Sequence, residues 1–506
     1  MTCKCGLDTH KSTRSRLCHL FKPPIKELNR KTDAKTESFV IKLGLNAFCA
    51  GPPHSDLHKS INDVVLIVSK VMFEFSIYVN FLLQKQLAAP QANGSLVKPK
   101  FLHLLYAIQG KSKFPLDPQY AQMRHKFQLG KYNVCKVNYT FQEAIRQYET
   151  NFMNNVTVHM KSRLIRYFCT FARPGSDGIL DKAAATLAVT QLLLADNDDN
   201  EFKLNFSKLK LDWFKFVPLL FSIQKQMNNI GKKSFAVVPI HKGGRIHCLF
   251  TTSAVAELLG ITVGEALNRD KVRSIWEKAF NFKDFENLEN NISFDYSFST
   301  NGIDVSVHLS RPLRVPSEIV KKPLIETFEQ IIGIDPGLRF MFGSVAMLGF
   351  DQDFENGVEI NKLLKSANWQ YITKNIERKS LLLKWTREFE TSVRARCEQY
   401  LNIGPSAEDF TLFTEVKLSH LNQKFNLYSQ TKIARLKFDK HICTKREIDK
   451  FVNKLTNNTS TLIFLGNCEQ AANSPMKGYI KGPLRELTKR LMEKEGCTVL
   501  MTDEFR

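Results

Sequence analysis

Two acids at the ends of apolar runs are the residues best placed to do chemistry in this 506-residue chain. Ile331, Ile332 and Ile334 lead straight into Asp335, then Pro336 and Gly337 turn the chain before a second apolar run, Met341 to Phe350. The pattern predicts a buried strand, a tight turn and a second strand, a β-hairpin with a carboxylate at the strand end. Burying a carboxylate is costly unless cations or donors compensate, which makes Asp335 a candidate metal ligand. The alternative is a turn aspartate bonding its own backbone, and Asp-Pro-Gly are ordinary turn residues. The second acid is Glu504, delivered with Asp503 at the end of the strand-like run Cys497 to Met501. Carboxylates suit Mg2+, and two such ions roughly 4 Å apart activate a water and stabilise the leaving oxygen in phosphodiester hydrolysis. Strand-end acids alone do not separate that chemistry from a structural α/β domain.

Two other constellations could bind ligands. Cys3, Cys5, His10 and Cys18 form a Cys3His set that suits tetrahedral Zn2+ in a segment too short for its own core. The gap between Cys5 and His10 is that of a zinc knuckle and the other gaps are not, so a basic tail with incidental cysteines is an equal reading. Over a helix-rich stretch from Lys362 to Leu401, Lys374, Arg378, Lys379, Lys384, Arg387, Arg394 and Arg396 are interleaved with Trp369, Tyr371 and Trp385. Such a face suits phosphate tracking with stacking platforms, or is an amphipathic helix with a solvated side. The acidic run Asp196 to Glu201 lacks the glycine and register of a calcium loop. His241 and His247 have no partners at metal spacing.

The whole chain favours a polyanionic partner. Lys and Arg number 72 against 50 Asp and Glu, a formal charge of +22, and phosphate backbones are the usual match, with an acidic membrane surface the weaker one. A composition 43% hydrophobic and 11% aromatic excludes a mainly disordered chain. The first twenty residues are polar and basic, unlike a signal peptide, and the apolar stretch Val64 to Leu83 carries Lys70, Glu74 and Asn80, which predicts a buried core helix rather than a membrane span. Eleven scattered cysteines predict reduced thiols in an intracellular compartment.

The elements that must position these residues follow in order. A Pro-containing basic linker precedes a strand over Ser38 to Phe48, and helices are predicted from Asp56 to Gln86, Lys100 to Ile108, Tyr139 to Phe171, Asp181 to Ala195 and Phe202 to Asn229. The segment from Ser234 to Phe250 alternates like two strands joined at Lys242-Gly243-Gly244-Arg245, short helices follow, and Asn301-Gly302 marks a hairpin. Near the end, Thr461 to Asn467 reads as a strand, Leu484, Leu487 and Leu491 as a helix begun by Pro483, and Cys497 to Met501 as a second strand. That βαβ-like unit carries its acids at the carboxyl end, where α/β sites lie.

IIGIDPG, FSTNGIDVSVHL and the final GN, KG, LRELTKRL and CTVLMTDEFR together resemble the Fanzor family, eukaryotic relatives of transposon-encoded TnpB and of type V CRISPR nucleases. The resemblance spans roughly residues 233 to 506; the helical block matches in pattern only. It implies an α+β multidomain fold: a wedge-type β-barrel split by a helical recognition insertion, then an incomplete RNase-H-like (RuvC) α/β domain. The implied boundaries are a candidate zinc knuckle at 1–20, a basic linker at 21–36, first wedge strand at 37–54, helical region at 55–231, remaining wedge at 232–320 and nuclease domain at 325–506. It further implies a nuclear, RNA-guided DNA endonuclease with guide RNA and double-stranded DNA as partners, no membrane, and Mg2+ held by Asp335 and Glu504. TnpB relatives carry a glutamate where this chain has Gly466, and relatives continue into a zinc ribbon and a third aspartate beyond this chain's end. The resemblance therefore implies nuclease ancestry and leaves cleavage by this chain open. The competing expectations are a non-catalytic nucleic-acid-binding protein and another RNase-H-fold transposase or resolvase.

Overall fold

The structure, a computed structural model, describes residues 36–49, 56–88, 97–111, 113–129, 132, 138–171, 213–229, 235–266, 268–286, 292–312, 328–335, 340–348, 358–365, 373–401, 407–456, 459–466, 484–494 and 496–502. Cys3, Cys5, His10, Cys18, the helix expected over 181–195, the acidic run 196–201, Trp369, Tyr371 and Glu504 lie outside them. The chain divides into two compact units: Met1–Leu313 with Glu388–Thr431, and Arg314–Arg387 with Lys432–Arg506.

The first unit begins with β1 (Thr36–Gly44), α1 (Leu45–Phe48) and α2 (Leu57–Ala88). Neither Gly nor Pro interrupts α2, so its thirty-two residues run as one helix. By length and composition α2 could cross a membrane, yet 83% of its most apolar window is buried inside the protein. Helices α3 (Phe101–Ile108), α4 (Pro118–Lys126), α5 (Asn138–Thr157), α6 (Met160–Phe171) and α7 (Val217–Asn229) follow. The single helix expected over 139–171 is therefore two. Glu74 of α2 is fully buried; Arg124 Nε donates to it at 2.7 Å and Tyr132 Oη at 2.5 Å. Burial pushes the Glu74 pKa up, and Arg124 and Tyr132 oppose that shift.

Only Cys248–Thr251 (β2) of the expected strand pair over 234–250 is a strand. The preceding residues find other partners on α2, where Asn62, Ser69 and Ser76 recur every seven positions on one stripe. The His241 N–H donates to Ser76 Oγ at 3.1 Å and the Ile246 N–H to Ser69 Oγ at 3.0 Å, while Arg245 donates to Asn62 Oδ1 and, at 2.6 Å, to the Ser429 carbonyl. Amides satisfied by serines need no strand ladder. His241 and His247 accordingly lie outside any strand.

Short helices α8 (Thr252–Leu259), α9 (Val263–Ala266) and α10 (Arg269–Ala279) lead to β3 (Ser293–Thr300) and β4 (Asp304–Pro312). The β3–β4 turn is built by Asn301, whose Oδ1 accepts from the N–H of Ile303 and Asp304, and by Gly302 at φ +84°. The sheet is antiparallel in the order β1-β4-β3-β2, with Thr36 opposite Pro312 and Gly44 opposite Asp304. Its core packs Phe48 on Phe280, Phe250 on Phe298 and Trp276 on Phe294.

The second unit holds β5 (Gln330–Asp335), β6 (Phe340–Leu348) and β7 (Val358–Lys365). The last was expected to open a helix from Lys362; the alternation Val358, Ile360, Lys362, Leu364 makes it a strand instead. Helix α11 (Asn375–Leu401) belongs to this unit through Arg387 and to the first from Glu388. The first unit then takes α12 (Ala407–Ser419) and α13 (Leu421–Tyr428). The second resumes in α14 (Thr431–Thr456), β8 (Thr461–Gly466), α15 (Leu484–Glu493) and β9 (Cys497–Thr502). Its sheet runs β7-β6-β5-β8-β9, antiparallel from β7 to β5 and parallel from β5 to β9. One face is dry: Ile332, Ile334, Ile463 and Leu465 pack with Ile448, Val452 and Leu455 of α14 and with Leu487 and Leu491 of α15.

Candidate functional site

Strand register decides where the sequence-predicted acids stand. In β5, Ile332 and Ile334 are buried while Ile331 is half-buried and Gly333 exposed, so by alternation position 335 shares the face of 331 and 333, away from the helix-covered core. Ile334 is level with Leu465, Leu465 with Met501, and Gly466 with Thr502. The carboxyl ends of β5, β8 and β9 therefore lie side by side, at Asp335, Gly466 and Thr502. At about 4.8 Å per strand step, Thr502 is roughly 10 Å across the sheet from Asp335. Glu504 is two positions further along the chain, outside the described residues. The Asp335 backbone is described and its side chain is not.

Glycines surround Asp335. Gly343 is its partner in β6, Gly466 follows the residue level with Ile334, and Gly333 precedes it by two on the same face. A Cβ added at Gly333 would meet nothing within 4 Å. Glycine weakens a strand interior, and its recurrent use is the approach of something other than a side chain. Sequence reasoning singled out Asp335 but missed this patch, because Gly343 and Gly466 become neighbours only through pairing. Among the described residues no three His, Cys, Asp or Glu side chains gather as a metal-binding group.

The predicted basic residues fall on the start of α11. Lys374, at φ 54°, immediately precedes the helix; Lys379, Lys384 and Arg387 are exposed and Arg378 half-buried. The Arg394 backbone is helical and its side chain is outside the described set, while Arg396 is exposed. Helix α14, which sequence reasoning passed over, adds to this face. Lys432 Nζ lies 4.6 Å from the Trp385 ring centre. Lys440 stands by Arg378 and Lys379, and its pKa is lowered, first by burial and then by those two cations. The pairings 432 with 385 and 440 with 378 set the two helices antiparallel. Three cations held together at an energetic cost are a candidate cluster for a polyanion. The signal for α14 was Ile433, Ile448, Val452 and Leu455 on one stripe, diluted by charged residues.

Comparison with known proteins adds little to this geometry. No protein-family model matches the chain, and no curated protein matches it. Among solved structures, a cryo-EM structure of a Cas12i–crRNA–dsDNA complex in the I1 state aligns over 92% of this chain and 83% of that one, at 9% identity and a TM-score of 0.21. A superposition that loose assigns neither fold nor function.

Proposed function

We propose that this chain is a nucleic-acid-binding protein whose second unit is an RNase-H-like nuclease domain, with Asp335 and Glu504 as its metal-binding carboxylates. Its partners on this reading are a guide RNA and double-stranded DNA, as in the Fanzor-like endonucleases its motifs resemble, and its compartment is the nucleus. The observation that carries the reading is the level alignment of the β5, β8 and β9 ends around a glycine-walled patch. Thr502 has the parity of Asp335, and Glu504 follows Thr502 by two positions in sequence. On this reading both carboxylates would hold Mg2+ at one shared site, as the oxygen ligands that a hard cation takes. Mg2+ bound there would supply Lewis-acid charge to the scissile phosphate and leaving oxygen.

The chain's own residues divide the remaining work. Gly333, Gly343 and Gly466 leave the sheet face low enough for a phosphodiester to approach Asp335. Arg378, Lys379 and Lys440 hold neighbouring phosphates. Gly466 stands where TnpB relatives have an acid, so β8 contributes room and no ligand. The test is to express the full chain with the transcript flanking its gene. Copurified RNA, a shift of guide-matched DNA and Mg2+-dependent cleavage lost in Asp335→Ala are expected; no RNA and no shift would end the reading. A second reading, binding without catalysis, is favoured by the Lys440 cluster. It predicts salt-sensitive binding with the same background cleavage in wild type and Asp335→Ala.

A further inference from the structure

A cleft of about 560 Å3 opens in the first unit between the C-terminal half of α5 and the segment 239–241, far in sequence from Asp335. Its lining includes Tyr148, Asn151, Asn154, Asn155, His159 and His241. Two polar atoms of this lining, Tyr148 Oη and His241 Nε2, are buried and have no hydrogen-bond partner. The Tyr148 ring is 3% exposed and fixed edge-on by Phe75 at 5.1 Å and Phe101 at 5.9 Å. The His241 ring is 6.1 Å from it, on a backbone anchored to Ser76. Rigid placement of two unmade hydrogen bonds beside one cleft is costly, and a ligand that completes both recovers that cost.

The chemistry of the lining narrows the ligand. None of the six is a carboxylate, lysine or arginine, so a phosphate finds no cation and a metal ion no acid. Burial pulls the His241 pKa to about 4, so at neutral pH its ring is uncharged, with one donor and one acceptor nitrogen. Asn151 and Asn154 are exposed, and their amides match the paired donors and acceptors of a base edge. Cations flank the lining in sequence: Lys161, two positions beyond His159, is half-buried, and Lys242, next to His241, is exposed. A neutral amide-lined cleft with cations at its margin suits a base inside and its phosphate outside.

We propose that this cleft holds one unstacked nucleobase, with Tyr148 Oη and His241 Nε2 completing hydrogen bonds to its edge. The source of the base rests on the nucleic-acid-binding reading; a free nucleoside presents the same chemistry. The test uses the full chain, a single-stranded oligonucleotide, an abasic oligonucleotide of equal length, and the four free nucleosides. The abasic strand should bind wild type about 10-fold more weakly. Tyr148→Phe should lose about 3- to 10-fold in affinity for the base-bearing strand while its thermal midpoint holds or rises, because the lost hydroxyl had no partner. Tyr120→Phe, which removes another buried unpartnered hydroxyl packed between Tyr78 and Phe81, should leave binding unchanged. A nucleoside that stabilises wild type and not Tyr148→Phe upholds the cleft with a free nucleoside as occupant. Equal, salt-sensitive binding of both strands without any nucleoside effect overturns the cleft and leaves nucleic-acid binding standing. A drop in stability of Tyr148→Phe also overturns it, since the hydroxyl would then already be satisfied. If no strand binds, the nucleic-acid reading falls and the nucleoside arm alone decides the cleft.

Discussion

Gly333 bears on the proposed metal site as directly as Asp335 does. It occupies a strand interior, where glycine costs roughly 0.5–1 kcal/mol against a residue with a side chain, and nothing near it requires the missing Cβ. Gly333→Val is therefore expected to keep or raise stability in denaturant titrations while abolishing any Mg2+-dependent cleavage; a fully active Gly333→Val would show that the patch faces no substrate. His241 makes a different prediction. Burial holds its pKa at about 4, below the ordinary value near 6.5. The unfolded chain then binds the proton more readily, so the His241 contribution is intact above pH 6.5 and is lost as pH falls toward 4, by about 3 kcal/mol in full. Denaturation midpoints from pH 7 to 4.5 should fall more steeply for wild type than for His241→Gln; parallel curves would contradict this. Neither residue was legible in sequence as more than a glycine in a strand and a lone histidine. Asp335 was legible as the end of a strand, because an acid closing an apolar run is visible without any partner.

Helices and strands were legible in proportion to the purity of their period. The β8–α15–β9 unit was read from Leu484, Leu487 and Leu491 between two apolar runs, and the β3–β4 hairpin from Asn301-Gly302. The segment before β2 misled because its alternation was real while its amides pair with Ser69 and Ser76 of α2, about 170 positions away. Helix α14 was missed because its apolar stripe is thin among lysines, and with it the cluster of Lys440, Arg378 and Lys379. Lys440→Glu tests whether that cluster serves binding. It replaces a like-charge contact with an attractive one, so the fold should hold or gain stability. Affinity for a polynucleotide should fall, and the slope of log affinity against log salt should flatten by about 1. An unchanged slope would make the cluster a structural feature only.

At the scale of the whole molecule, a formal charge of +22 is spread over two units with separate cores, and the chain passes between them within α11 and at the start of α14. The charge was evident from composition, whereas the division was not, since residues 388–431 return to the first unit after β5–β7 are laid down in the second. The same long-range assembly brings Asp335 and the end of β9 into one sheet although more than 160 positions separate them. Whether that convergence makes one metal site is measured most directly by titrating Mn2+ into the full chain calorimetrically, for wild type, Asp335→Asn, Glu504→Gln and the double variant. A shared site predicts that either single substitution removes the same binding event and that the double variant loses nothing more. A wild-type isotherm in either single variant would contradict the account.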